Sequence, residues 1–379
     1  MSQVYIHIPF CDLKCNYCRF ASIWTLQQKQ IDFYVKNLIL EIKNSTFKSG
    51  ILNSIYFWGW TPSVLSERNL SEIFFILKEK FIFSKNIEIT LESTPNNITK
   101  NNLDFWEKIW INRISIWIQT LNEKSLKEIN RWNKSDILEA LENISCRVWK
   151  FSYPTNISLD FIIWLPYVKS GEILENIKYI LNNYSFIKHI SVYMLEDYYS
   201  ADKIIETKYD NITYPENWDK QGIKEKEYLE EYSSIKKYLI ESWFNNYEIS
   251  NYWKPWFECK HNIWYWNHKE ILAFWLWAYW YINNIRYANS EIFKNYYNWE
   301  KIFENKLTQE DIFLEKVMFQ LRTSWIEESI YKKLDTKKID YFIEKNYLES
   351  RECRPAFPTI NLTDKWVLVM DYILKEIIL

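Results

Sequence analysis

The chain has 379 residues, of which 48% are hydrophobic, and a formal net charge of −2. Its length predicts two or three domains with a buried core, and its balanced charge argues against nucleic-acid binding. The first residues lack the charged and apolar segments of a signal peptide. The longest apolar run, residues 271–282, is shorter than the roughly 20 residues of a membrane-spanning helix. We therefore expect a cytoplasmic protein.

Strand-like and helix-like segments alternate along residues 1–200. The predicted strands are Val4–Ile8, Ser54–Phe57, Ile87–Glu92, Arg113–Ile118, Ile157–Ile163 and His189–Met194. The helical patterns between them include Ile31–Lys43, Leu70–Lys80, Ser125–Ile129, Ile137–Ile144 and Ile173–Asn182. Six β–α units in series predict an α/β fold with a parallel sheet.

The rest of the chain divides into three predicted parts. A polar connector covers residues 201–225, and a compact, motif-rich accessory segment covers residues 226–300, beginning with a helix near Lys224–Phe244. The last part, residues 301–379, is predicted to contain helices, a short hairpin and a terminal helix. Within it, Tyr341–Leu374 resembles a winged-helix ending.

Three cysteines follow the first predicted strand on one short loop. Cys11, Cys15 and Cys18 have C-x3-C-x2-C spacing, and Pro9 ends the preceding strand. Thiolates are natural ligands of iron–sulfur clusters, which normally take four cysteines, so three leave one iron open to another ligand. A structural zinc site prefers four ligands, usually in two C-x2-C pairs, and a disulfide needs an oxidising compartment. The spacing therefore favours an iron–sulfur cluster.

The cysteine segment resembles the signature of the radical S-adenosylmethionine (SAM) superfamily. The resemblance implies a partial (β/α)6 barrel in which the cysteines hold a 4Fe–4S cluster and the open iron chelates SAM. Such barrels place their chemistry at the carboxyl ends of the strands. Taken singly, a polar residue there is more often a hydrogen-bonded rim residue. The positions that the resemblance assigns to SAM binding are Tyr5, Gly59, Trp60, Thr61, Glu92, Gln119, Arg131 and Asp160.

Tryptophan is abundant and glycine is scarce in this chain. There are 21 Trp and 4 Gly, whereas average usage predicts roughly 27 glycines. Glycine serves where φ is positive or where a ligand approaches the backbone, and tryptophan is unsuited to both. We interpret most of these tryptophans as UGA codons that the host reads as glycine; a genuinely Trp-rich protein is the alternative. Tryptophan replaces a superfamily motif glycine at Trp58, Trp60, Trp117, Trp164, Trp275 and Trp277.

A second region resembles the HemW haem chaperone family. Residues 247–251 read Tyr-Glu-Ile-Ser-Asn, and His261 begins the run His-Asn-Ile-Trp-Tyr-Trp. The resemblance associates this run with haem, and imidazole is a common axial ligand of haem iron. A ligand role and a purely structural, hydrogen-bonded role for His261 remain equal alternatives. Trp266 matches a tryptophan of the motif and is exempt from the glycine interpretation. The residues expected to be structural are His7, Cys146 and Cys353, whereas Cys259 is expected to be a buried free thiol, with a thiolate ligand as the alternative.

Two functions follow from these resemblances. One is a haem chaperone that binds haem, SAM and a 4Fe–4S cluster and delivers haem to acceptor proteins, with no catalytic residue assigned. The alternative is oxygen-independent coproporphyrinogen III dehydrogenase, a radical SAM enzyme of porphyrin biosynthesis. The chaperone is favoured because Phe20 stands where the enzyme typically has a fourth cysteine, and because only ten residues precede Cys11. The expected partners are acceptor haemoproteins, with peripheral membrane association through them, and an electron donor.

Overall fold

A computed structural model of the chain describes residues 2–18, 27–45, 50–151, 153, 156–195, 225–276, 278–290, 292–323, 328–352, 358–363, 373 and 376–378. The strands are β1 (Ser2–Ile8), β2 (Ile51–Gly59), β3 (Ile82–Ser93), β4 (Arg113–Gln119), β5 (Asn156–Ile163), β6 (Ile187–Met194), β7 (Asn245–Asn246), β8 (Asn251–Trp253), β9 (Ile271–Phe274), β10 (Tyr279–Ile282), β11 (Ile285–Asn289), β12 (Lys301–Lys306), β13 (Leu348–Glu352) and β14 (Pro358–Leu362). The helices are α1 (Gln28–Asn44), α2 (Glu67–Lys80), α3 (Lys100–Lys108), α4 (Glu123–Glu128), α5 (Lys134–Phe151), α6 (Glu172–Asn183), α7 (Glu225–Glu241), α8 (Lys260–Trp266), α9 (Phe293–Tyr297), α10 (Gln309–Arg322), α11 (Glu328–Tyr331) and α12 (Thr336–Glu344).

A twelve-stranded mixed sheet organises the fold, in the order β12-β11-β10-β9-β1-β2-β3-β4-β5-β6-β8-β7. Strands β1 to β6 are parallel and adjacent in chain order, which confirms the predicted α/β architecture of six β–α units. Strand β9 pairs in parallel with the other edge of β1. Strands β10 to β12 continue that edge in antiparallel pairings, and β8 pairs antiparallel with β6.

The parallel strands bury both of their faces, as β5 illustrates. Leu159 and Phe161 are fully buried in the main apolar core. Side chains alternate along a strand, so Ser158 and Asp160 point to the opposite face. There the carboxylate of Asp160 accepts hydrogen bonds from the hydroxyls of Ser158 (3.4 Å) and Ser115 (3.2 Å). The barrel is therefore apolar where its strands meet the helices and polar on the inside.

Tryptophan occupies an unusual conformation at several helix ends. Trp110, Trp243 and Trp299 follow α3, α7 and α9 with φ values of 72°, 68° and 63°. After α3, the Trp110 amide donates to Glu107 O (3.0 Å) and the Ile111 amide to Trp106 O (3.0 Å). This bonding pattern defines a Schellman motif, whose left-handed residue is usually glycine. The same pattern of bonds closes the other two helices.

The predicted glycine positions within the motifs give a mixed result. Trp164 and Trp275 have positive φ values of 72° and 104°, as the glycine interpretation expects. Trp58, Trp60 and Trp117 are not among the residues with positive φ. The sixth position, Trp277, lies outside the described residues.

The accessory segment contains more sheet than its sequence predicts. The apolar run at 271–282 forms two strands, β9 and β10, and the chain then adds β11 and β12 to the same sheet. Most of the predicted connector, and Cys353, lie outside the described residues. A second apolar core contains Val317, Leu321 and Phe342, and the predicted hairpin is formed by β13 and β14. The winged-helix ending and the domain boundaries stay predictions. In the described part of the chain, no helix has both the length and the hydropathy to cross a membrane.

Candidate functional site

The cysteine loop lies at the carboxyl end of β1. Cys11 and Cys15 are buried and Cys18 is half-buried. The Cys18 amide donates to Cys15 O (3.0 Å), and the Asn16 amide donates to Ile129 O (3.1 Å), which ties the loop to the residue after α4. The Cys11 Sγ lies 3.0 Å from Thr61 Oγ1. The loop is therefore anchored on two sides by the barrel rim.

A buried cation faces these thiols. Burial raises the pKa of the Cys11 and Cys15 thiols, and the positive charge of Arg131 opposes that rise. The three guanidinium nitrogens of Arg131 are buried, with the ring of Trp132 5.0 Å from the guanidinium and the Tyr17 hydroxyl interacting with it. A buried cation is costly unless an anion joins it. The donors present therefore fit thiolates and the anionic cluster they would hold.

The cysteine spacing predicts that the three sulfurs converge on one point, and the structure does not show this. Among the described residues, no three Cys, His, Asp or Glu side chains could hold a single metal ion. Cys15 lies within electrostatic range of both Cys11 and Cys18. In a 4Fe–4S cluster each thiolate ligates a different iron, so its ligands lie further apart than those of a single ion.

The turn after β2 lies against the cysteine loop. The Trp60 amide donates to Ile8 O (2.9 Å), and the Thr61 amide donates to Phe10 O (2.9 Å). Gly59 has φ of 122°, and a Cβ there would lie 2.3 Å from Ile8 O. Only glycine fits this position, because any side chain would collide with the backbone of β1.

The indole of Trp60 fills the space beside this turn. It is buried with 4% of its surface exposed, and its ring centroid lies 5.7 Å from that of His7. His7 in turn has its Nδ1 2.6 Å from the Tyr5 hydroxyl, as expected for a structural histidine. Glycine at position 60 would leave this volume open.

Buried polar groups with unused bonding capacity lie at the ends of the next strands. Glu92 accepts a hydrogen bond from the Tyr56 hydroxyl at Oε1 (2.9 Å), while its Oε2 has no partner among the described residues. Burial, then the charge of Asp160, raises the pKa of Glu92 well above its ordinary value. Gln119, at φ of 66°, has a buried Oε1 that is likewise unpartnered. These acceptors fit a ligand that carries ammonium or hydroxyl donors, as SAM does.

The Asp160 carboxylate accepts hydrogen bonds from Ser115 and Ser158, unlike the unpartnered oxygens of Glu92 and Gln119. Burial raises its pKa to about 6, while serine hydroxyls and Arg113 oppose the rise. Seven of the eight predicted SAM residues lie on or just after strands β1 to β5, and Arg131 lies in the segment between α4 and α5. Tyr5 and Asp160 are each within electrostatic range of Glu92, and Arg131 is within electrostatic range of Cys11 and Cys15.

A cavity of about 840 Å³ opens between the barrel and the segment that follows it. Its volume is within the usual range for ligand sites. Tyr5 and Glu92, predicted for SAM, and His261, predicted for haem, line the same space. Polar and charged residues from the later part of the chain also line it, among them Glu248, His268, Lys269, Arg286 and Arg322.

His261 is hydrogen-bonded and also lines the cavity. Its Nδ1 lies 2.8 Å from Ser54 Oγ, and its backbone amide donates to Glu88 Oε1 (3.2 Å). Burial, then the charge of Arg113, lowers the pKa of its imidazole to about 3. It is therefore a neutral, hydrogen-bonded histidine on the wall of a cavity. When Nδ1 donates to Ser54, the lone pair of Nε2 is left for a ligand.

The sequence did not identify a polar cluster that includes two other residues of the cavity wall, His268 and Arg286. The His268 Nε2 and the Arg286 Nη2 each lie 2.6 Å from Glu315 Oε2. His268 lies two residues after the run that begins at His261, so its proximity to that run was a usable signal. Arg286 carries no local signal, because only the pairing of β10 with β11 brings it to the cavity.

The remaining cysteines differ in their surroundings. Cys259 is fully buried, and burial raises the pKa of its thiol to about 12, which confirms a buried free thiol. Cys146 is exposed on α5, so burial gives it no structural role.

Comparison with known proteins is consistent with this geometry. Residues 5–180 match the Radical SAM superfamily. The fold is that of the solved structure described as "Coproporphyrinogen III oxidase (HemN) from Escherichia coli is a Radical SAM enzyme", with a TM-score of 0.80 over 99% of this chain and 89% of that chain at 20% identity. The class is therefore a radical SAM barrel, and the predicted fold class is confirmed.

More similar sequences define the family. The chain is 31% identical to "Heme chaperone HemW" of Lactococcus lactis over 76% of this chain and 72% of that protein. It is 28% identical to the protein of the same name from Bacillus subtilis over 78% of this chain and 75% of that protein. The chain belongs to the HemW family. An "Oxygen-independent coproporphyrinogen III oxidase" of Salmonella typhimurium is also 31% identical, but over only 43% of this chain and 35% of that protein.

Proposed function

We propose that this chain is a haem chaperone that binds haem, SAM and a 4Fe–4S cluster and delivers haem to acceptor proteins. The observation that carries the proposal is the cavity of about 840 Å³ with His261 on its wall. The names of the HemW relatives support it, because they are haem chaperones aligned with two thirds or more of their length.

Haem would enter this cavity, and His261 would be a ligand of its iron. The Ser54 contact fixes the ring through Nδ1, as an outer hydrogen bond does for many metal-bound histidines. Tyr265, Trp266 and Phe319 line the same cavity, with ring centroids 4.9–5.7 Å apart. Aromatic faces of this kind can pack on a porphyrin.

The cluster and SAM would bind at the neighbouring end of the barrel. Cys11, Cys15 and Cys18 would ligate the irons, and Arg131 would offset the negative charge of the thiolates. Glu92 and Gln119 would accept hydrogen bonds from SAM, with Tyr5, Asp160 and the Gly59–Thr61 turn completing its surroundings. When bound, the cluster and SAM supply one-electron chemistry. The chain's own residues position and enclose them.

The same proposal includes partners and location. Acceptor haemoproteins would receive the haem, some of them at a membrane surface, and an electron donor would reduce the cluster. A reducing cytoplasm would suit a cluster held by three thiolates.

The alternative function is coproporphyrinogen III dehydrogenation, and the partial match to the Salmonella typhimurium protein favours testing it. The experiment is anaerobic cluster reconstitution followed by parallel haem titration and coproporphyrinogen turnover with SAM. We expect a Soret band that saturates with haem and no decarboxylated product. Conversion of coproporphyrinogen without haem binding would replace the chaperone proposal with the alternative.

A further inference from the structure

Two arginines lie on one wall of the cavity. The guanidinium of Arg286 is 5.9 Å from the ring centroid of Tyr281, and that of Arg322 is 5.9 Å from the ring of Trp266. The Nε of each arginine is buried without a hydrogen-bond partner in the described part of the chain. Both side chains therefore keep donor capacity next to aromatic rings that line the cavity.

The charge of this wall is positive. Arg286 is paired with Glu315, and although burial raises the pKa of Glu315, His268 and Arg286 hold it below its ordinary value. That pair is neutral as a unit, so Arg322 and Lys269 supply the remaining charge.

The other carboxyls on the cavity wall offset those cations only in part. Burial raises the pKa of Glu92 well above its ordinary value, so this group favours its uncharged form near neutral pH. Burial raises the pKa of Glu248 to about 7, while Arg322 opposes the rise, so Glu248 carries part of one negative charge there. Arg322 and Lys269 together outweigh it, and an anionic group entering the cavity would meet net positive charge.

Tyr265 lies within electrostatic range of both arginines. Burial raises the pKa of its hydroxyl, and the positive charges of Arg286 and Arg322 oppose that rise. Tyr265 also packs on Phe319, with ring centroids 4.9 Å apart. Aromatic surface and paired cations thus adjoin, which is the surface expected for an aromatic ligand with carboxylates at its edge.

We propose that Arg286 and Arg322 bind the peripheral carboxylates of the ligand in this cavity and so set its orientation. This inference rests on the proposed haem function and extends it to specificity. Arginine suits the task because its planar fork donates two parallel hydrogen bonds to a carboxylate.

The test compares haem with iron protoporphyrin IX dimethyl ester, in which both carboxylates are esterified. The full-length Arg322→Gln protein should bind haem about tenfold more weakly than wild type, because a charge-assisted bond is lost. It should bind the diester as wild type does. Arg322→Lys should lie between them, and Arg68→Gln, at an exposed arginine of α2, is the matched control.

Each outcome decides a separate point. Wild-type affinity of Arg322→Gln for haem would overturn the carboxylate role while leaving haem binding intact. Equal loss of haem and diester in Arg322→Gln would also overturn it, since the damage would then be to the cavity itself. Failure of the wild-type protein to bind either compound would overturn the proposed function.

A second inference uses backbone conformation to extend the glycine interpretation to particular positions. Six of the thirteen non-glycine residues with positive φ in the described chain are tryptophans. The left-handed region costs a side-chain-bearing residue about 1–2 kcal/mol, and a bulky residue there is an outlier. Where asparagine or histidine closes a helix in the same way, as at Asn130 and His268, the residue type is one that tolerates this region.

Two further tryptophans show the same mismatch. Trp256 follows Pro255 at φ of 76°, and the Phe257 amide donates to Lys254 O (3.0 Å). This is a turn of type II, which requires glycine or asparagine at the tryptophan's position. Trp275, at φ of 104°, has its ring centroid 3.4 Å from that of Tyr34, closer than aromatic pairs prefer.

We infer that glycine occupies these positive-φ positions in the protein made by its host, through UGA codons read as glycine. Peptide mass spectrometry of the native protein should show glycine at positions 110, 243, 256 and 299 and tryptophan at Trp266. Tryptophan at all of these positions would overturn the inference.

A stability measurement gives an independent check. Trp243→Gly should raise the folding equilibrium constant about fivefold or more, because the strained φ is relieved. Trp149→Gly, within α5 and exposed, should lower it, since glycine weakens a helix interior. Equal effects of both substitutions would contradict the strain argument.

Discussion

The cysteine loop and the cavity are built in opposite ways. The loop takes its three thiols from one short segment after β1, and nearby backbone bonds hold it in place. The cavity takes its wall from several strands and helices, from Tyr5 near the start of the chain to Arg322 at the end of α10. A site built from one segment is visible as residue spacing, whereas a site built from distant segments exists only after the sheet has formed.

The two regions also differ in how much space they leave. Trp60 is buried against the turn beside the cysteine loop, while the cavity keeps about 840 Å³. With tryptophan at position 60, the site proposed for SAM is therefore crowded, whereas the cavity proposed for haem is open. Substitutions at the cysteine loop, in the cavity and at the contact between barrel and accessory segment should therefore have different effects.

The largest effect is expected at the loop. Cys15→Ala should abolish the cluster, with loss of iron, sulfide and visible charge-transfer absorption after anaerobic reconstitution, because thiolates are its only proposed protein ligands. Cys146→Ala, at an exposed cysteine of α5, is the matched control and should keep the full cluster. Full cluster retention in Cys15→Ala would rule out the assignment.

The contact between the barrel and the accessory segment should depend on pH. Glu41 of α1 accepts hydrogen bonds from Tyr296 (2.6 Å) and Asn289 (2.7 Å), and burial raises its pKa from 4.5 to about 7. The folded state thus holds this proton more tightly, and the group's contribution to stability falls as pH rises from 4.5 to 7. The loss is on the order of 3 kcal/mol.

The Glu41→Gln variant should lack that pH-dependent loss. Chemical denaturation of the variant and the wild type at several pH values gives the difference in unfolding free energy directly. If the difference is the same at pH 4.5 and pH 8, Glu41 does not ionise as described.

Substitution of His261 should change haem binding in the cavity but should not change the cluster on the cysteine loop. His261→Ala should alter the Soret band and weaken haem affinity about tenfold or more, because an iron ligand is removed. Cluster content should stay unchanged. Lys260→Ala, at the exposed neighbouring position, is the control. An unchanged haem spectrum in His261→Ala would remove this residue as the ligand.

Relief of crowding at the loop should have a comparable or smaller effect. Trp60→Gly should tighten SAM binding about tenfold, the size expected when overpacking of 1–3 kcal/mol is removed. Equilibrium binding of SAM to the reconstituted protein measures it, with Trp149→Gly as the control. Equal SAM affinity in the wild type and Trp60→Gly would show that the indole does not obstruct the ligand.

Much of the loop region could be predicted from sequence because its signals are local. The parallel strands followed from apolar runs, and Glu92 and Gln119 were placed at strand ends by that count. The cavity could not be predicted in the same way. Strand β9 pairs with β1 across most of the chain, and β10 to β12 carry polar residues that give weak strand signals. Arg286 reaches the cavity only through that pairing.

The most direct test of the two-region account is haem titration of a protein with Cys11, Cys15 and Cys18 all changed to Ala. The account predicts that this cluster-free protein gives the same Soret band and the same haem affinity as the reconstituted wild type, since no cysteine of the loop lines the cavity. Loss of haem binding together with the cluster would contradict it, because the loop and the cavity would then form a single site.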